Sequence, residues 1–169
     1  MWSGMFNNQN PSDFFTGQEV SLYEMLSARE TRVQNQWKLL HGREKATLIL
    51  VTMNIPGPVK TNDVLEQVFR KMVEDIEHVL GDQPIFSSVY KPLKTGPEFY
   101  LLTPLPPKEV KKRLVNMEES HPFGRLFDLD VHYLNEEGLK SVSRRDLDLP
   151  PRRCLVCPLD AKDCGRTRR

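Results

Sequence analysis

The sequence predicts an α+β fold of ferredoxin-like, split-βαβ order: an antiparallel sheet, an extra amino-terminal helix and an irregular Arg/Cys-rich carboxy-terminal segment. Three observations carry that prediction. A nearly continuous apolar and β-branched run at 46–53 has the composition of a strand buried on both faces. Leu65, Val68, Phe69, Met72, Ile76, Val79 and Leu80 then recur at helical spacing and stop at Gly81, a natural C′ residue. Strand-like runs at 85–90, 98–103 and about 125–134, with a short helical stripe before the last, complete the order β, α, β, β, α, β.

Taken in order, residues 1–17 are polar, Asn-rich and without period, which predicts a flexible leader with no function of its own. Ser21 followed by Glu24 is a capping box and Val20 with Met25 has the spacing of a hydrophobic staple, so a helix should begin at about residue 22. Leu22, Leu26, Val33, Trp37 and Leu40 would form its apolar stripe. The Pro/Gly-containing stretch 92–97 separates two β-like runs as a hairpin turn would. Pro107 suits the N1 position of a helix carrying Val110, Leu114 and Met117. In the split-βαβ order helices cover one sheet face and leave the other available for a site.

A chain of 169 residues fits one domain with a real core. The net charge of +1 gives no global signal for nucleic acid or membrane, but charge is unevenly spread. From residue 140 onward nine Lys or Arg face four Asp or Glu, leaving +5 there and −4 over the rest. The tail is therefore the segment that would meet anions. With no secretory signal and no bilayer-length apolar run, a cytoplasmic location and no membrane partner are expected. Three cysteines clustered between 154 and 164 argue against a secreted disulfide framework.

The sharpest feature is Gly124-Arg125-Leu126-Phe127-Asp128-Leu129-Asp130-Val131. On a strand, Phe127, Leu129, Val131 and Tyr133 face one way and Leu126, Asp128, Asp130 and His132 the other. Two carboxylates roughly 6 to 7 Å apart repel by about 2 to 3 kcal/mol at an effective dielectric near 20. A cation turns that repulsion into attraction, and paired hard oxygens suit Mg²⁺, which takes its remaining ligands from water and substrate phosphates. The residues thus point to metal-dependent phosphoryl or nucleotidyl transfer. The alternative, which stays open on the sequence, is that they are solvated charges protecting an edge strand.

Other groups could serve such chemistry. Arg144-Arg145 and Arg152-Arg153 flank the stiff Pro150-Pro151 spacer, and arginine forks bind phosphate oxygens bidentately; a solvated basic tail has the same composition. The loop Asn54-Ile-Pro-Gly-Pro-Val-Lys60 could set Lys60 against phosphate or simply connect strand to helix. His121 precedes the aspartate strand, where packing is the usual role of a lone histidine. Cys154-x2-Cys157-x6-Cys164 opens like a Zn²⁺ ligand set, yet a closed site needs four ligands and no fourth follows; His41, His78, His121 or His132 would have to supply it from elsewhere in the fold.

Together these residues resemble the apo-citrate lyase phosphoribosyl-dephospho-CoA transferases, also called holo-citrate lyase acyl carrier protein synthases. The resemblance rests on the loop from Asn54 to Lys60, on Ser120-His-Pro-Phe-Gly-Arg-Leu-Phe-Asp-Leu-Asp-Val131, on Ser143-Arg-Arg-Asp146 and on Leu149-Pro-Pro-Arg-Arg-Cys-Leu-Val-Cys157. It implies transfer of the 2′-(5″-phosphoribosyl)-3′-dephospho-CoA unit from its triphosphate precursor to a serine of the citrate lyase acyl carrier (gamma) subunit, with pyrophosphate leaving. It implies a single nucleotidyltransferase-like domain over 18–169, with the basic and cysteine segment from about 140. Asp128 and Asp130 would be the catalytic Mg²⁺ ligands. Gly124, Arg125, Arg144, Arg145, Arg152, Arg153, Lys60 and His121 would be the substrate-binding set, with Cys154, Cys157 and Cys164 a possible Zn²⁺ set.

Expected partners are thus the apo carrier subunit and triphosphoribosyl-dephospho-CoA. A related transferase serving another acceptor, such as the malonate decarboxylase carrier, shares this chemistry. A non-enzymatic RNA- or protein-binding module is the rival from another class. Nucleic acid is not expected, because RNA-binding sheets of this order present aromatic side chains where this strand carries aspartates.

Overall fold

The computed structural model describes residues 11–154 and 157–167. Among them run helices α1 (Leu22–Leu40), α2 (Asp63–Leu80), α3 (Pro107–Ser120) and α4 (Ala161–Thr167) and strands β1 (Thr47–Met53), β2 (Ser87–Lys91), β3 (Glu98–Thr103), β4 (Phe127–Asn135) and β5 (Gly138–Ser141). The strands form one sheet in the order β2-β3-β1-β4-β5, every neighbouring pair antiparallel. This is a mixed α/β architecture. β5 is a strand the sequence does not predict, because its four residues give no readable alternation.

β1 lies at the centre, buried along nearly its whole length as its composition requires. Ile49 and Val51 pack with Val68, Phe69, Met72 and Ile76 of α2, with Val110, Leu114 and Met117 of α3, and with Phe127, Leu129 and Val131 of β4. Leu48 and Leu50 point the other way, into a smaller cluster with Leu40, Ala46, Tyr100 and Leu102. Each such side chain contributes roughly 1.5 to 3 kcal/mol on burial, so the α2/α3 side carries most of the core.

α2 starts where Asn62 Oδ1 accepts from the Leu65 amide at 2.9 Å and ends at Gly81, whose φ of +63° favours glycine. The same Asn62 side chain donates to the carbonyls of Asp13, Phe14 and Thr16 at 3.0, 3.2 and 3.0 Å. Residues 1–10 of the expected leader lie outside the described residues. Pro11–Phe15, however, is a 3-10 turn with Phe14 packed on the core, so a flexible arm is the wrong description for this part.

The capping box at Ser21 and Glu24 is present as expected. Of the apolar stripe expected for α1 only Leu40 is buried: Leu22, Leu26, Val33 and Trp37 are exposed, and Gln36, which is not part of that stripe, is buried. α1 meets the sheet mainly through its carboxy-terminal end, on the face opposite α2 and α3, so that face is partly covered rather than fully open.

Candidate functional site

β4 places both aspartates as its alternation requires. Phe127, Leu129 and Val131 are buried against α2 and α3, while Asp128 and Asp130 project from the opposite face beside Thr52 and Leu50 of β1. The edge-protection alternative has less to protect at the centre of this segment. β5 pairs only with 132–135, and the outward-facing peptide of Leu129 is satisfied by α3: Lys111 Nζ donates to its carbonyl at 2.7 Å and Glu118 Oε1 accepts from its amide at 3.2 Å. At Leu129 the strand edge is closed without help from the aspartates.

The carboxy-terminal segment crosses this site. Arg152 Nη1 donates to Asp128 Oδ1 at 2.8 Å, and its Nη2 donates to the carbonyls of Gly124 and Arg125 at 3.1 and 3.0 Å. Arg125 in turn reaches back, its Nη2 donating to the carbonyls of Arg153 and Cys154 at 3.0 and 2.8 Å. Two arginines thus lock the segment across the start of β4. Asp128 keeps nearly half of its side chain open to water, 45 %, and Asp130 is also exposed, yet protein crowds the rest of both groups. That crowding pushes the Asp128 carboxyl upward, the Asp130 charge adds to it, and Arg152 opposes it. Asp130 is likewise raised by burial, against the pull of Lys111.

The remaining expected binding residues divide. Arg145 and Arg153 are exposed. Arg144 is committed to α3, its Nη2 2.8 Å from Glu118 Oε2 and its Nη1 2.7 Å from Glu119 Oε1. His121 caps that helix, with Nε2 2.9 Å from Asp75 Oδ2 and Nδ1 accepting from the Phe123 amide at 3.1 Å. Lys60 closes its own loop by donating to the Ile55 carbonyl at 2.6 Å, and burial lowers its pKa. Gly124 is a packing residue: a Cβ there would stand 2.4 Å from the Glu118 carbonyl oxygen.

Sequence reasoning passed over a network on the same sheet face. Buried Glu98 accepts from the Tyr100 hydroxyl at 2.6 Å, Tyr100 accepts from Asn35 at 3.4 Å, and Arg32 Nε lies 2.9 Å from Glu98 Oε1. That last pair is close in charge but not aligned as a hydrogen bond. The Arg32 charge also pulls weakly against the rise at Asp130. His132, the next residue on this face, has its Nε2 buried without a partner among the described residues, and burial holds its pKa down to about 4.

The three cysteines converge. Their sulfurs lie within 4.8 Å of one another, with Cys154 and Cys164 Sγ 3.2 Å apart. Soft thiols are no place for Mg²⁺ but match Zn²⁺.

Fold and site together define a mixed α/β protein that turns a paired-carboxylate strand face towards an arginine-bearing carboxy-terminal strap. The chain belongs to the apo-citrate lyase phosphoribosyl-dephospho-CoA transferase family (CitX), whose sequence profile matches residues 20–169. It is 40 % identical over 156 residues to the probable apo-citrate lyase phosphoribosyl-dephospho-CoA transferase of Streptococcus pyogenes serotype M18, covering 92 % of this chain and 81 % of that protein. It is 35 % identical to the transferase of that name from Escherichia coli O1:K1, covering 91 % and 83 %. With protein CitXG of Leuconostoc mesenteroides subsp. cremoris it shares 38 % identity over 90 % of this chain and 32 % of the longer relative. Among the described residues no helix is long and apolar enough to cross a membrane.

Proposed function

We propose that this chain moves the 2′-(5″-phosphoribosyl)-3′-dephospho-CoA group from triphosphoribosyl-dephospho-CoA to a serine hydroxyl of the apo-citrate lyase acyl carrier subunit, by metal-dependent nucleotidyl transfer. The observation that carries the reading is the family match across 20–169, which includes the strand that presents Asp128 and Asp130 on one face. In the reaction the serine oxygen bonds to the α-phosphorus, the bond from that phosphorus to the pyrophosphate oxygen breaks, and the hydroxyl proton passes to a base.

Asp128 and Asp130 fit a divalent cation. They are two hard carboxylates on one face, both pushed upward by crowding, and a guanidinium already rests on Asp128. They would hold Mg²⁺, which withdraws charge from the phosphate oxygens. Either aspartate would serve as the base that accepts the serine proton. Arg152 can exchange Asp128 for a phosphate oxygen without leaving the Gly124 and Arg125 carbonyls, and exposed Arg145 and Arg153 extend the positive surface. Arg144, His121 and Lys60 have the partners of structural residues. We also read β1 to β4 as a ferredoxin-like split βαβ unit, a view supported by the strand order.

The test is intact-mass measurement of apo carrier subunit incubated with the protein, triphosphoribosyl-dephospho-CoA and Mg²⁺. The expected result is a gain equal to the phosphoribosyl-dephospho-CoA unit that EDTA abolishes. No gain with the citrate lyase carrier, but a gain with the malonate decarboxylase carrier, would overturn the acceptor.

A further inference from the structure

The strap that carries Arg152 to Asp128 is folded around the three cysteines. The Arg152 carbonyl accepts from the Ala161 amide at 2.8 Å, the Cys154 amide donates to Leu159 at 2.7 Å, and the Cys164 amide donates to Asp160 at 2.9 Å. Arg153 and Asp160 form a β-bridge. The chain thus doubles back immediately after Arg152, and the doubling brings the sulfurs of Cys154, Cys157 and Cys164 within 4.8 Å of one another. Among the described residues of the turn, Leu159 is exposed. A small doubled-back segment gains order from a staple.

A disulfide is the poorer staple. Cys154 and Cys164 sulfurs stand 3.2 Å apart, well beyond a bond of about 2.05 Å, and pairing them would leave Cys157 unused beside them. Three sulfurs within 4.8 Å of one another bracket the edge of about 3.8 Å that a Zn–S distance of about 2.3 Å requires, with Cys154 and Cys164 having to part slightly from 3.2 Å.

We propose that Cys154, Cys157 and Cys164 bind one Zn²⁺ as thiolates and that this centre positions Arg152 over Asp128. The positioning half rests on the function proposed above; the metal half does not. Zinc with three thiolates carries a net charge of −1, which the basic segment around it offsets. The centre is not a catalytic metal. It fixes the peptide that Arg125 grips at the carbonyls of Arg153 and Cys154, and so fixes where the Arg152 fork begins.

The full chain, reconstituted with ZnCl₂ under reducing conditions and gel-filtered, should retain one zinc per chain by elemental analysis and native mass spectrometry. Cobalt in its place should give thiolate-to-metal charge-transfer absorption. Cys157→Ser should lose the metal, and in the wild type all three thiols should become reactive only after chelation. Trypsin should cut after Arg152 or Arg153 at least about tenfold faster once zinc is removed, as local order is lost. A wild type that holds no zinc, or a Cys154–Cys164 disulfide found in a non-reducing peptide map, overturns the metal site. Zinc retained with unchanged cleavage rates overturns the positioning role. None of these readouts uses the transfer reaction, so their failure and its failure are separate results.

Discussion

Arg144 with Glu118 and Arg152 with Asp128 are ion pairs of the same chemical type, both at 2.8 Å and both attached to β4 surroundings, yet they differ in everything that matters for function. The Glu118 carboxylate is buried and saturated: it accepts from Arg144 and from the Leu129 amide, and Arg144 is shared with Glu119. The Asp128 carboxylate keeps 45 % of its side chain exposed, has Asp130 on the same face, and is raised rather than lowered by its surroundings. One pair completes the fold. The other leaves negative charge partly uncompensated, as a site that waits for a cation and phosphates would.

The largest expected effect separates the two sites. Asp128→Asn or Asp130→Asn should reduce carrier modification by at least about a hundredfold, the several kcal/mol expected when a metal ligand is removed, while the unfolding midpoint changes little. Wild-type transfer rates in both variants would sink the assignment of that face. Glu118→Ala should do the reverse. It leaves the half-buried Arg144 guanidinium with Glu119 and takes the side-chain acceptor from the Leu129 amide, so urea denaturation should register a loss of about 1 to 3 kcal/mol. A loss below about 1 kcal/mol would show that the Arg144 pair is not structural.

Residue periodicity carried the parts of this contrast that depend on one strand alone. Alternation along 127–133 identifies which residues share a face with Asp128, and the helical spacing of 65–80 identifies the face of α2 that buries Phe69 and Ile76. Pairings between distant segments leave no such signal. Arg144-Arg145 and Arg152-Arg153 read identically, and only tertiary packing gives the first pair Glu118 and the second Asp128. The same holds for Glu98, Arg32 and Tyr100, whose positions in the sequence do not announce that they meet. α1 misled for a different reason. Its apolar residues have the period of a buried stripe, but of them only Leu40 is buried, beside Gln36, and Leu22, Leu26, Val33 and Trp37 lie outside.

The two arginines give the next test. Arg152→Ala should raise KM for the triphosphate and lower transfer, with a smaller stability loss than Arg144→Ala because the pair is partly solvated. Arg144→Ala should lower the unfolding midpoint instead, through the unpaired Glu118. If both variants lose stability and neither changes KM, the division drawn between them fails.

The smallest effects are in the pH dependence of stability, where two residues of the same face of β4 have opposite signs. His132 is held down to about 4 from an ordinary 6.5, so the unfolded chain binds its proton first. Its contribution is complete above pH 6.5 and is lost as pH falls towards 4, amounting to at most about 3 kcal/mol. Asp128 and Asp130 are raised, so the folded protein binds their protons first and their contribution favours the folded state as pH falls through the carboxylate range. Solvent screening keeps that gain to about 1 kcal/mol or less. Urea midpoints measured from pH 7 to 4 should therefore fall less steeply in His132→Leu than in the wild type. In Asp130→Asn they should fall more steeply towards pH 4, because the opposing term has been removed while His132 remains. Parallel curves for all three proteins would mean that neither group is perturbed by the face it occupies, and the contrast between a saturated Glu118 and a strained Asp128–Asp130 pair would lose its electrostatic basis.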